Sequence, residues 1–267
     1  MGGTPRFQPS KIHHPVIHPF PSVTSVFAPM HLLKFDSESA WADCLASLWR
    51  DRLRTNPRLR LCLPAGHTPV GVFAALAKSV QHGEVTFREA EVFLLDEFGD
   101  LPANDAGRCV QQLRRTLLDQ IDLPPERFHF IRTDAPDLEL EWRHYDQGIG
   151  RGFDLTLLGL GLNGHLGMNE PGTPADSTTH RVELHDSTVA ASRRYLTHAQ
   201  TPTWGATVGL KHLLGSSEVW LLACGVNKAE IVRRTVVGEI TTEVPASLLR
   251  PHPNSFLFVD AAAGAGL

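Results

Sequence analysis

Leu59-Arg60-Leu61-Cys62-Leu63-Pro64-Ala65-Gly66-His67-Thr68-Pro69-Val70 is the stretch on which the fold turns. Leu59 to Leu63 make a short apolar strand, Pro64 to Pro69 break it, and from Val70 to Val80 the apolar residues return at helical spacing. The unit is strand, tight turn, helix. Similar units follow: Val92 to Leu95 before Asp96-Glu97, Phe128 to Ile131, Leu155 to Leu158 before a glycine-rich turn, Val219 to Cys224 before Gly225, and Phe256 to Val259. Upstream, His31 to Phe35 reads as a first strand. Trp41, Leu45, Leu48, Trp49 and Leu53 mark a helix that stops at Asn56-Pro57. Short buried strands alternating with helices predict an α/β fold with a doubly wound, mostly parallel sheet and helices on both faces. In such sheets ligands sit at the carboxyl ends of the strands, where the conspicuous turns of this chain all fall.

Composition narrows the function. With 42% apolar and 20% charged residues the chain is an ordinary globular protein, which excludes disorder throughout. A formal charge of -4 and scattered Lys and Arg give no cationic field, so no nucleic-acid partner is expected. Cys44, Cys62, Cys109 and Cys224 form no CxxC pair, which argues against a zinc knuckle or disulfide scaffold. The absence of an apolar run near ~20 residues predicts no membrane span, and the expected compartment is cytoplasmic. Met1 to Pro29 hold six prolines and no acidic residue. They read as a loose extension, or as the product of a misassigned start with translation beginning at Met30; proline at this density argues against a transit peptide. Residues 30–267 are expected to form one domain.

Three constellations carry chemistry. Gly66-His67-Thr68-Pro69 offers backbone N–H groups, a hydroxyl and a helix N-terminus, which suit a phosphate dianion. A plain strand-to-helix turn with Pro69 at the first helical position has the same local sequence. Asp96-Glu97 ends an apolar strand, leaving two carboxylates as bases, as metal ligands or as a solvated cap. The richest segment runs from Leu158 through Gly159, Gly161, Asn163, Gly164, His165, Asn169 and Glu170 to Gly172. Its glycines let the backbone approach a ligand, and Glu170 can fix the tautomer of His165. A zinc site from His165, Glu170 and Asp96 lacks both HExxH spacing and a cysteine ligand, so no metal is expected. Arg193, Arg194 and Lys228 are candidate phosphate cations or solvated charges; Lys228 stands at a strand-to-helix turn.

Taken in order, these segments resemble the glucosamine-6-phosphate deaminase family and its galactosamine-6-phosphate isomerase branch. The likeness covers roughly Met30 to Val259. It adds Leu101-Pro102, Thr207-Val208-Gly209-Leu210, Gly225-Val226-Asn227-Lys228, Val244-Pro245-Ala246-Ser247 and His252-Pro253 to the motifs above. The 6-phosphogluconolactonases share a related turn, but an arginine usually follows their acidic pair and they lack Asn-Glu-Pro-Gly. Here Phe98 and Asn169-Glu170-Pro171-Gly172 occupy those places.

The resemblance implies a modified Rossmann-like fold and a phosphorylated amino sugar as the small-molecule partner. It implies Asp96 as the base between C2 and C1, His165 as the group that opens the ring at O5, and Glu170 as its support. Gly66, His67, Thr68, Glu97, Arg193 and Lys228 would hold substrate. Both steps are proton transfers and require no cofactor. Asn163 stands where the deaminases carry aspartate, as in the galactosamine-6-phosphate isomerase branch, and favours that epimer. The effector residues of the hexameric deaminases are missing after Gly172, so no allosteric activation is expected; monomer and homo-oligomer both remain open. The alternatives are a 6-phosphogluconolactonase-type hydrolase and a non-catalytic sugar-phosphate-binding regulator.

Overall fold

The computed structural model describes residues 25–26, 30–196 and 201–267. In chain order it holds β1 (Ser25–Val26), β2 (His31–Phe35), α1 (Glu38–Thr55), β3 (Arg60–Leu63), α2 (Val70–Gln81), β4 (Glu91–Leu94), β5 (Asp96–Phe98) and α3 (Cys109–Thr116). Then come β6 (Phe128–His129), α4 (Leu138–Ile149), β7 (Leu155–Gly159), β8 (His180–Glu183), α5 (Asp186–Ser192) and β9 (Trp204–Thr207). α6 (Leu210–Leu214), β10 (Val219–Ala223), α7 (Ala229–Val237) and β11 (Ser255–Asp260) complete it. Most of the proline-rich stretch up to Pro29 lies outside the described residues. Its Ser25 and Val26 pair antiparallel with Leu32 and His31.

Local chemistry accounts for the helix starts. The Ser37 hydroxyl accepts from Ala40 N at 3.2 Å and opens α1, and Asp137 does the same for Leu140 N at 3.0 Å before α4. The central strands are apolar on both faces because each face is covered. Trp220, Leu222 and Phe258 pack with Trp41 and Trp49 of α1 and Phe73 of α2. Their neighbours Leu221, Ala223, Leu257 and Val259 pack on the other side with Ile149 of α4, Leu213 of α6 and Val232 of α7. This is the doubly wound arrangement expected from the continuous apolar strands.

The large sheet has the order β1-β2-β11-β10-β7-β3-β4-β6, parallel throughout except for β1. From β3 the chain winds outward through β4 and β6; from β7 it winds the other way through β10 and β11. The reversal between adjacent β3 and β7 leaves a crevice at their carboxyl ends.

Asp96-Glu97 departs from the expectation of a strand end. After Leu95 the chain enters a second, antiparallel sheet of order β5-β9-β8, in which Asp96 lies opposite Thr207 and Glu97 opposite Ala206. All three residues of β5 are buried. The carboxylate of Asp96 is thus held on strand backbone between the two sheets.

Candidate active site

Four carboxyl-terminal turns meet over the crevice. Pro64 to Pro69 after β3, Leu95-Asp96 after β4, Gly159 to Gly167 after β7 and Cys224 to Lys228 after β10 line a cleft of about 400 Å³. Gly66, His67, Thr68, Asp96, His165 and Lys228 all face it. A side pocket of about 180 Å³ opens beside Asp96, between Phe98, Cys109, Gln112 and Met168.

Glycine is required where backbone and side chain crowd. Gly66 has φ +94°, a conformation that L side chains resist, at the turn into α2. A Cβ on Gly161 would stand 2.4 Å from the His165 ring, so only glycine lets that imidazole fold back over its own loop. The loop closes on itself through Gly161 N to His165 O at 3.1 Å and Gly164 N to Gly161 O at 3.1 Å.

The Glu170 carboxylate organises the polar end of this loop. Oε2 accepts from Asn163 Nδ2 at 2.7 Å and stands 3.5 Å from His165 Nδ1. Oε1 accepts from Thr188 Oγ1 at 2.6 Å and from His185 N at 3.4 Å. Burial pushes this carboxyl up, but His165, Thr188 and Asn163 outweigh it and hold the group at about 2. Glu170 is therefore an anion at every physiological pH. The Asn163 carbonyl takes His165 N at 3.2 Å, so both ends of that amide are engaged inside the loop. Asn169 is fully buried and ties Leu166 O to Val208 O through its amide, which makes it a brace for the loop.

Asp96 is the opposite case. Burial raises its carboxyl, the Cys109 thiol draws it partly back, and the neighbouring Glu97 pushes it up again, to about 7. A carboxyl poised there exchanges a proton readily at neutral pH.

Lys228 projects into the cleft and donates to Leu160 O. It follows Gly225, at φ +89°, whose N–H is held by the Asp260 carboxylate at 3.0 Å, and it precedes the N-terminus of α7. Glu97, expected to touch substrate, is not among the residues lining the cleft and is fully buried. Its Oε1 accepts from Phe98 N at 2.8 Å and Cys109 N at 2.9 Å, and its Oε2 from Val110 N at 3.0 Å, with Arg108 Nε at 3.5 Å. Those contacts cap α3. Arg193 is exposed at the start of a short 3-10 turn and does not line the cleft.

Two residues that sequence reading did not single out are brought in. Thr188 arrives on α5, and Tyr195 sets its hydroxyl 3.0 Å from His67 N, over the Gly66 turn. Both come from a polar stretch with no periodicity to mark them. Among the described residues no group of three His, Cys, Asp or Glu side chains is arranged to hold a metal ion, and no helix is long and apolar enough to cross a membrane.

Fold and cleft together define a doubly wound α/β protein with its pocket at the topological switch point. Residues 36–258 match the family of glucosamine-6-phosphate isomerases and 6-phosphogluconolactonases, and the chain belongs to that family. Among curated relatives, glucosamine-6-phosphate deaminase of Shouchella clausii is 37% identical over 238 residues, 88% of this chain and 95% of that one. Glucosamine-6-phosphate deaminase 2 of Giardia intestinalis is 38% identical over 218 residues, 80% of this chain and 82% of its own. A solved monomeric glucosamine-6-phosphate deaminase superposes with a TM-score of 0.85 at 31% identity, covering 88% of this chain and 99% of that one. The 6-phosphogluconolactonase of Trypanosoma brucei shares the fold, with a TM-score of 0.70 at 18% identity over 90% of this chain and 99% of its own.

Proposed function

We propose that the protein is an amino-sugar-phosphate isomerase/deaminase, converting a 2-amino-2-deoxyhexose 6-phosphate into a ketohexose 6-phosphate and ammonia. The observation that carries this reading is one cleft lined by a carboxyl poised near neutrality, an imidazole backed by a permanent carboxylate, and a lysine beside a helix N-terminus. Relatives named as deaminases across most of the chain support it.

In this mechanism Lys228 and the Gly66-Thr68 turn hold the phosphate. His165 transfers the proton that opens the ring at O5, with Glu170 stabilising the charge the imidazole acquires. Asp96 takes the proton from C2 and returns it to C1, leaving an imine at C2 that water hydrolyses to the ketone and ammonia. Presenting glucosamine 6-phosphate, galactosamine 6-phosphate and 6-phosphogluconolactone separately tests the reading. Ammonia release from an amino sugar with no acceleration of lactone hydrolysis is the expected result; the reverse pattern makes the protein a lactonase. Failure of all three would leave a sugar-phosphate-binding regulator.

The finer reading is a preference for the galacto epimer, supported by Asn163 in place of aspartate. Because the Asn163 amide faces Glu170 rather than the cleft, its influence on the sugar runs through the His165–Glu170 pair. Asn163→Asp sets a second carboxylate where a donor now lies 2.7 Å from Glu170, and repulsion lifts Glu170 above about 2. The expected outcome is a displaced pH–rate profile and a narrower ratio of kcat/KM between the two epimers. A parent enzyme faster on glucosamine 6-phosphate, with the ratio unmoved by the substitution, defeats the epimer claim and leaves the reaction class intact.

A further inference from the structure

In the proposed reaction Glu170 supports His165, and the neighbours of its two oxygens decide where it points. A carboxylate turns about its Cγ–Cδ bond, and the Asn163 amide pulls Oε2 at 2.7 Å more strongly than His165 does at 3.5 Å. With Oε2 alone engaged, the group is free to follow Asn163 and withdraw from the imidazole. The second oxygen prevents that: Oε1 is pinned by Thr188 Oγ1 at 2.6 Å and, more loosely, by His185 N at 3.4 Å. Two anchors on opposite oxygens fix the plane of the carboxylate.

We propose that Thr188 is a positioning residue of the reaction, whose hydroxyl fixes the Glu170 carboxylate so that Oε2 stays turned toward His165. The proposal rests on the isomerase/deaminase reading of this cleft.

Two features separate Thr188 from an ordinary helix-surface threonine. It lines both the main cleft and the side pocket next to Asp96, so it is placed where the reacting groups gather. Its hydroxyl also reaches across from α5 to a residue 18 positions earlier in the chain instead of bonding a carbonyl of its own helix. Thr55, Thr116 and Thr235, by contrast, each return their hydroxyl to the carbonyl four residues back. A hydroxyl that donates to a permanent anion makes a charge-assisted bond, the kind whose geometry is best maintained. Among the described residues His165 Nδ1 is buried without a hydrogen-bond partner, and Glu170 Oε2, 3.5 Å away, is the carboxylate placed to orient it. Thr188 acts at one remove, and its loss falls on the chemical step rather than on phosphate binding.

Steady-state kinetics of the full-length protein on its amino-sugar phosphate test this with Thr188→Val, Thr188→Ala and Thr188→Ser. Both hydroxyl-free variants are expected to lose about 10- to 100-fold in kcat, the size of one charge-assisted hydrogen bond, with KM close to that of the parent. Thr188→Ser restores kcat. Thermal melts show which variants are folded, and Thr188→Ala serves if the branched valine does not fit. Parental kcat in a folded hydroxyl-free variant overturns the proposal, as does a loss confined to KM or a Thr188→Ser variant as slow as Thr188→Ala. A parent with no turnover of any amino-sugar phosphate brings down the reaction class and this role with it, and the parent's own assay identifies that case.

Discussion

Asp96→Asn is expected to abolish turnover while making the protein more stable at alkaline pH. The amide keeps the shape of the side chain but cannot accept the C2 proton, and loss of a general base typically costs about 10²–10⁴-fold in kcat. The stability gain follows from the same burial. Because the fold raises this carboxyl from 3.8 to about 7, its stabilising contribution is complete below the lower value and is lost as pH rises through the upper one. Above pH 7 the folded protein carries a buried anion that the unfolded chain would solvate. At about 1.4 kcal/mol per pH unit between those two values, removing that burden stabilises the variant by roughly 4–5 kcal/mol at pH 8, and the difference disappears near pH 4. The parent's kcat/KM should rise with pH through about 7 as Asp96 ionises. Melting curves at the two pH values and a pH–rate profile check both statements. An Asn variant at near-parental rate removes Asp96 from the role of base, and one no more stable than the parent at pH 8 shows that the fold does not raise this carboxyl. Proteins commonly hold such destabilising groups where chemistry needs them.

Lys228→Ala is expected to raise KM for the phosphorylated sugar by about 10- to 100-fold, since a phosphate held in a partly enclosed turn loses a charge-assisted bond of about 1.5–3 kcal/mol. The ammonium donates to Leu160 O, on the chain leaving β7, so the cation is positioned by the strand beside its own. Unphosphorylated amino sugar should react equally poorly with both proteins. Equal KM values for the phosphorylated sugar in the variant and the parent would place the phosphate elsewhere in the cleft.

Much of this architecture is legible in the sequence because it rests on local signals. Leu59 to Val80 declares strand, turn and helix through apolar spacing and two prolines, and the glycines around His165 announce a backbone that must pack tightly. The small antiparallel sheet is not legible: β5 is three residues long, and its Asp96 and Glu97 look like a solvated strand end until Thr207 and Ala206 are found opposite them. The same blindness covers Glu97. Its partners Cys109 and Val110 lie 12 and 13 residues away with no pattern linking them, so an apparent ligand carboxylate is a buried helix cap. Thr188 and Tyr195 escape notice for a related reason, since only the tertiary fold carries their polar stretch back to Glu170 and His67. The order of motifs conveys the chemistry, while the supporting contacts appear only in three dimensions.

In the proposed reaction Asp96 moves a proton within a bound amino-sugar phosphate until its nitrogen leaves as ammonia. The direct test incubates the parent and Asp96→Asn with saturating galactosamine 6-phosphate or glucosamine 6-phosphate and quantifies ammonia and ketohexose 6-phosphate together. Equimolar ammonia and ketose are expected from the parent, and from the Asn variant a rate lower by about 10²–10⁴-fold despite retained substrate binding. Consumption of the sugar without ammonia, or equal rates from the two proteins, would contradict the proposed reaction.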